Sequence, residues 1–69
     1  MDRNMAIQFL QDYVNRKYIS ADNIKIRELK YDKYTYNWTG HVSFSDIDRS
    51  YELAIIFNGD KIVFAKEFI

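Results

Sequence analysis

The sequence predicts an α+β domain in which an N-terminal helix packs on one face of a four-stranded antiparallel meander sheet of order 1-2-3-4. Three observations predict it. First, Tyr34, Tyr36, Trp38, Gly40, Val42 and Phe44 fall on one parity, and Thr35, Asn37, Thr39, His41, Ser43 and Ser45 on the other. Side chains on a strand alternate between its faces, so 34–45 reads as one long strand with an apolar side and a polar side. Second, residues 3–18 carry apolar positions at helical spacing. Third, Asn58-Gly59 is a strong short hairpin signal between two apolar runs.

The elements follow in order. Within 3–18, Ala6, Ile7, Leu10, Tyr13 and Val14 gather on one helix side, and Asn4, Gln8, Gln11, Asp12 and Asn15 on the other. Asp2 is placed to cap the N-terminus, and Arg16 and Lys17 suit the last turn. Met5 and Phe9 lie on a flank of the apolar stripe. Ser20-Ala21-Asp22-Asn23 ends the pattern. In the strand 24–31, Ile24 and Ile26 share one parity and Leu29 and Tyr31 the other, which predicts a bulge near Arg27-Glu28. A turn at Asp32-Lys33 then leads into the long strand. The polar segment 46–49 joins it to a third strand carrying Tyr51, Leu53, Ile55 and Phe57, and 61–69 forms the last.

Turn lengths give registers. Leu29 is expected opposite Tyr36, Phe44 opposite Tyr51, Val42 opposite Leu53 and Trp38 opposite Phe57. A loop at Asn58-Gly59 sets Ile55 opposite Ile62 and Leu53 opposite Phe64. These pairings keep apolar residues on one face, and a one-residue slip would scatter them. Gly40 falls mid-strand on that face, where a missing side chain lets the helix approach.

Sixty-nine residues make a single domain, 1–69. Such a chain buries only about 60% of its unfolded surface. The absence of cysteine leaves out disulfides and thiolate metal sites, and a lone His41 argues against a histidine-based metal centre. An aromatic core of six Tyr, five Phe and one Trp, or self-association, is left to stabilise it. Ten basic and ten acidic side chains cancel, so the chain lacks the field that drives nonspecific nucleic-acid or membrane binding. The N-terminal segment has no continuous apolar run, which predicts neither a signal peptide nor a membrane span, and hence a cytoplasmic protein. Proline is missing and Ile, Lys, Asn, Tyr and Asp are plentiful, a usage that fits a low-GC bacterium or phage.

No catalytic constellation is legible, and the expectation is that the protein is not an enzyme and needs no cofactor. His41, Ser43 and Glu52 fall on the polar face, but a flat sheet offers them no shaped oxyanion site. Asp46-Ile47-Asp48 resembles a fragment of a cation loop without its glycine or distal glutamate, so it reads as a hydrophilic turn. The two glycines are isolated, which leaves no phosphate loop.

Surfaces remain. The last strand is a sheet edge, and Ile62-Val63-Phe64-Ala65 is apolar on both faces, with Ala54 and Ile56 beside Val63 and Ala65. An uncharged apolar edge is a hazard that folded proteins block or occupy. Ala54, Ile56, Ile62, Val63 and Ala65 are therefore the candidate protein-binding residues, with Met5 and Phe9 as a second surface. The expected partner is an unidentified protein or a second copy in a homodimer. The expected function is that of a protein-binding module of accessory or inhibitor type. The alternative is single-stranded nucleic-acid binding through Lys25, Arg27, Lys30 and Tyr34, cations beside rings that could stack bases. One helix before an antiparallel meander is similar in architecture to cystatin-like and PepSY-type domains. The cystatin-type Gln-Val-Val-Ala-Gly loop does not occur, so no functional residue carries over.

Overall fold

A computed structural model describes residues 1–47 and 49–68. Asp48, in the expected cation-loop fragment, and Ile69, at the expected end of the last strand, lie outside the described residues. The order is α1 (Arg3–Lys17), β1 (Ala21–Asp32), β2 (Asn37–Asp46), β3 (Arg49–Asn58) and β4 (Lys61–Phe68). The strands form one antiparallel sheet in the order β1-β2-β3-β4, with α1 on one face, as the alternation predicts.

The helix begins where Asp2 Oδ1 accepts the Met5 N–H at 2.8 Å, satisfying one of the unpaired donors of its first turn. It ends at Tyr18, whose N–H reaches the Val14 carbonyl. Ala6, Leu10 and Val14 are fully buried against Leu29, Trp38, Val42, Phe44, Leu53, Ile55 and Phe57. The sheet's inner face is ordered in rows across the strands: Tyr31–Trp38–Phe57–Ile62, Leu29–Gly40–Ile55–Ala65 and Ile26–Val42–Leu53–Glu67. Gly40 sits in the central row beneath Leu10. A Cβ there would lie 2.6 Å from Leu10 Cδ1, inside van der Waals contact.

The β2–β3 register is as the turn length predicts, with Trp38 opposite Phe57, Val42 opposite Leu53 and Phe44 opposite Tyr51. One further pair, Asp46 with Arg49, extends the ladder. The bulge expected in β1 is present, with Arg27 unpaired between Ile26 (opposite Val42) and Glu28 (opposite His41). A second irregularity lies between Asp22 and Lys25, where Asn23 adopts φ +53°.

Two registers differ from expectation. The β1–β2 connection is a four-residue turn at 33–36, which sets Leu29 opposite Gly40 and Tyr31 opposite Trp38. Asp32 organises it: its side chain accepts the Tyr34 N–H at 2.8 Å and its carbonyl the Tyr36 N–H at 2.8 Å. Because the offset is an even number of residues, the apolar face is kept. In the last hairpin the loop is Gly59-Asp60, with positive φ at Gly59 alone, as a II′ turn requires at its first loop position. Asn58 stays in the ladder opposite Lys61. Phe57 opposes Ile62 and Ile56 opposes Phe64, so Val63 is an extra residue and the strand changes face there.

That change has a physical cause. The helix backbone approaches β1 and β2 and reaches β3 through side chains, as where Phe9 stacks on Phe57 at 4.6 Å. Among the described residues no helical backbone stands above β4. Phenylalanines held inward from β4 would meet no cover, whereas turned outward they lie beside Ile56 and His41.

Gly40→Ala should lose about 1–3 kcal/mol of stability through overpacking on Leu10, read as a lower urea midpoint. Leu10→Ala alone should cost about 2–5 kcal/mol. The double variant should lose less than the sum, because the smaller side chain makes room for the new methyl.

Candidate functional site

The outer face of the sheet is also ordered in rows. Across the strands run Lys30–Thr39–Ile56–Phe64, then Glu28–His41–Ala54–Lys66, then Lys25–Ser43–Glu52–Phe68. The half toward β1 is charged and the half toward β4 is mostly apolar. Ala54 and Ile56 are half-buried, while Val63, Phe64 and Phe68 are 53%, 50% and 41% exposed. Phe68 lies edge-on to His41 with ring centres 6.1 Å apart, and Lys66 Nζ stands 5.3 Å above the Phe68 ring.

The structure distributes the predicted binding residues over two faces. Ala54 and Ile56 do lie outward. Ile62 points inward and packs on the core, Val63 occupies the bulge, and Ala65 is on the inner face opposite Ile55, still exposed. Phe64 and Phe68, absent from the expected set, take the outward positions beside Ile56 and Glu52. The signal for this was the lack of clean alternation in Lys61–Phe68, the same kind of phase slip that marked β1. Met5 is exposed, and Phe9 is half-buried on the helix flank turned toward the last hairpin. Together with Met1, Gln8 and Asp12 they form a shallow groove closed by Gly59 and Asp60. Both predicted surfaces therefore border the half of the sheet that α1 leaves uncovered.

The two edges differ. β1 is interrupted by two irregularities and carries Lys25, Arg27 and Lys30, all features that blunt pairing with another strand. β4 is regular from Phe64 to Phe68 and, among the described residues, has no strand on its far side. Its main-chain donors and acceptors on that side are free for a further strand.

His41 Nε2 stands 3.8 Å from Glu52 Oε1, too long for a hydrogen bond. Ser43 Oγ accepts from Arg27 Nε at 3.1 Å and makes no hydrogen bond to His41. The three residues thus do not assemble as a nucleophile and its base in this geometry. Among the described residues no group of three or more His, Cys, Asp or Glu side chains is placed to hold a metal ion. No helix of the described residues is long and apolar enough to cross a membrane.

Lys25, Arg27 and Lys30 share the outer face, as the nucleic-acid alternative requires, but Lys30 pairs with Glu28 at 3.5 Å. Tyr34 stands apart from them in the 33–36 turn, 83% exposed, with Lys33 above its ring at 5.5 Å. Tyr31 and Tyr36 are also exposed at this tip, beyond the reach of the helix, and Tyr36 has φ +63°.

One polar clamp fixes β4 to the rest of the molecule. Tyr18 donates its hydroxyl to Glu67 Oε2 at 3.1 Å, and Glu67 Oε1 faces Arg49 at 3.9 Å. Tyr18 also packs on Phe44 and Tyr51, with ring centres 4.7 and 5.2 Å away. Burial, then the hydrogen bond and negative charge of Glu67, push the Tyr18 hydroxyl up to about 12. A proton held more tightly in the folded state gives stability that is complete below pH ~10 and is lost as pH rises through about 12. Urea midpoints measured across this window should fall more for the wild type than for Tyr18→Phe, which has no proton to lose. In an ultraviolet titration, the phenol ionisation that Tyr18→Phe removes should lie above the usual tyrosine range.

No protein-family model matches the chain, and neither a curated protein nor a solved structure is similar to it at a significant level.

Proposed function

We propose that this chain is a non-enzymatic protein-binding module, of accessory or inhibitor type, that engages its partner through the β4 edge and the apolar half of the outer face. The observation that carries the reading is the unpaired, regular edge Phe64–Phe68 with two half-exposed phenylalanines on one side of it. A strand added there gains main-chain hydrogen bonds from the edge, and side-chain specificity from Phe64, Phe68, Ile56 and Ala54. Aromatic anchors of this kind dominate the energetics of protein interfaces. The groove beside Met5 and Phe9 lies on the opposite face of the same uncovered half and extends the contact for a partner that wraps the edge. A cytoplasmic setting in a low-GC bacterium or phage belongs to the proposal, residue usage supporting the source.

A photo-crosslinking amino acid in place of Phe64, in the full chain expressed in its native host, should give discrete covalent adducts. The same group in place of Asn15, on the exposed helix face, should not. Equal labelling from the two sites would overturn the reading.

The nucleic-acid alternative has one specific support: Lys25, Arg27, Lys30 and Lys66 share the outer face with the rings of Phe64, Phe68 and His41. Glu28 and Glu52 on the same face oppose it. Under this reading a labelled single-stranded oligonucleotide is retained at low salt, loses affinity as salt rises, and is released by Lys30→Glu. Absence of any shift at low salt would dispose of it.

A further inference from the structure

We infer that the strand occupying the β4 edge is β4 of a second copy of this chain, antiparallel about a two-fold axis at Ala65. The inference rests on the proposed binding role of that edge and names its occupant. A two-fold axis normal to the sheet pairs outward residues with outward residues, so only registers that match parity within the regular run Phe64–Phe68 are open. Centring on Lys66 would set two ammonium groups directly opposite each other, which is destabilising. Centring on Phe64 would carry the partner's regular run across the Val63 bulge, where parity breaks.

Centring on Ala65 sets no like charges opposite each other and keeps residues 64–66 of both chains in regular register, the partner's Val63 being met only beyond them, opposite Glu67. On the inner face Ala65 meets the partner's Ala65, small enough on both sides for close approach. On the outer face Phe64 lies opposite the partner's Lys66, and Lys66 opposite the partner's Phe64. This repeats across the axis the ammonium-over-ring contact that Lys66 already makes with Phe68. Diagonal neighbours are about 7–8 Å apart, within reach of aromatic side chains. Phe64 is thereby brought to the partner's Phe64 and the partner's Phe68, and four half-exposed rings become one aromatic row. The sheet becomes eight-stranded, with both ends formed by the lysine-bearing β1 edge. A 69-residue chain without disulfides gains most from such an addition.

The absence of native cysteine makes the register directly testable. In an antiparallel pair, directly opposite Cα atoms stand about 4.5–5.5 Å apart, which a disulfide can bridge. Ala65→Cys, folded as judged by circular dichroism and mildly oxidised, should therefore run as a covalent dimer of two 8.3 kDa chains. In this register the Lys66 Cα atoms are about 8 Å apart, from the strand rise and spacing, so Lys66→Cys should crosslink far more slowly. Sedimentation of the wild type at micromolar concentration should show a dimer, and Phe64→Lys a folded monomer. A monomeric wild type, or equal crosslinking of the two cysteine variants, would overturn the inference. Adducts from Phe64 to a different protein would then leave the broader binding role standing, whereas no adducts at all would remove both.

Discussion

Leu10 reaches the sheet because residue 40 has no side chain. The contact is close enough that a single methyl group on Gly40 would overlap Leu10 Cδ1, and Gly40 lies in the central row of the inner face. Ala6 and Val14, one turn to either side of Leu10, are seated by the same approach. A helix held further out would leave Val42 and Ile55 poorly covered, and a core this small has little to spare. The aromatic contacts at the periphery (Phe9 on Phe57, Tyr18 on Phe44 and Tyr51, Tyr31 on Trp38) arrange themselves around that central seat.

One helix cannot roof four strands. A helix packs at roughly 8–10 Å from its neighbours while strands recur every ~4.8 Å, so α1 shelters about two of them directly. The chain responds at each edge with a bulge. In β1 the extra Arg27 restores Leu29 to the sheltered face after Ile26. In β4 the extra Val63 does the reverse and sends Phe64 and Phe68 to the face away from the helix. The same local device thus completes the core on one side and exposes rings on the other.

Much of this architecture is legible in the residues. Strict alternation in β2 leaves one choice of face, the turn length carries that choice to Tyr51, Leu53, Ile55 and Phe57 of β3, and the phase slip between Ile26 and Leu29 announces its own bulge. Gly40 is recognisable because a glycine mid-strand on an apolar parity marks the close approach of another element. The β1–β2 turn is harder to read. Tyr34 and Tyr36 continue the alternation, and it is the turn's own hydrogen bonds, chiefly those to Asp32, that remove them from the strand. The last hairpin is harder still, since Asn58-Gly59 and Gly59-Asp60 are both good two-residue loops differing by one position. In Lys61–Phe68 nearly every residue is tolerable on either face, so the choice passes to tertiary context, namely the missing cover above β4. Candidate surface residues inherit that ambiguity, which is why Ala54 and Ile56 lie where the pattern puts them and Phe64 and Phe68 do not.

The 33–36 turn projects beyond the helix on a molecule 39 Å long and 20 Å wide. Its shape comes from Asp32 and the left-handed backbone at Tyr36, and the large side chains at 34 and 36 are spread into solvent. Packing therefore exerts little pressure on the side chain at 34, whereas the left-handed backbone at 36 favours glycine or asparagine over the tyrosine that stands there. The promontory is free to drift or to be replaced by a grafted loop while the body of the molecule keeps its form.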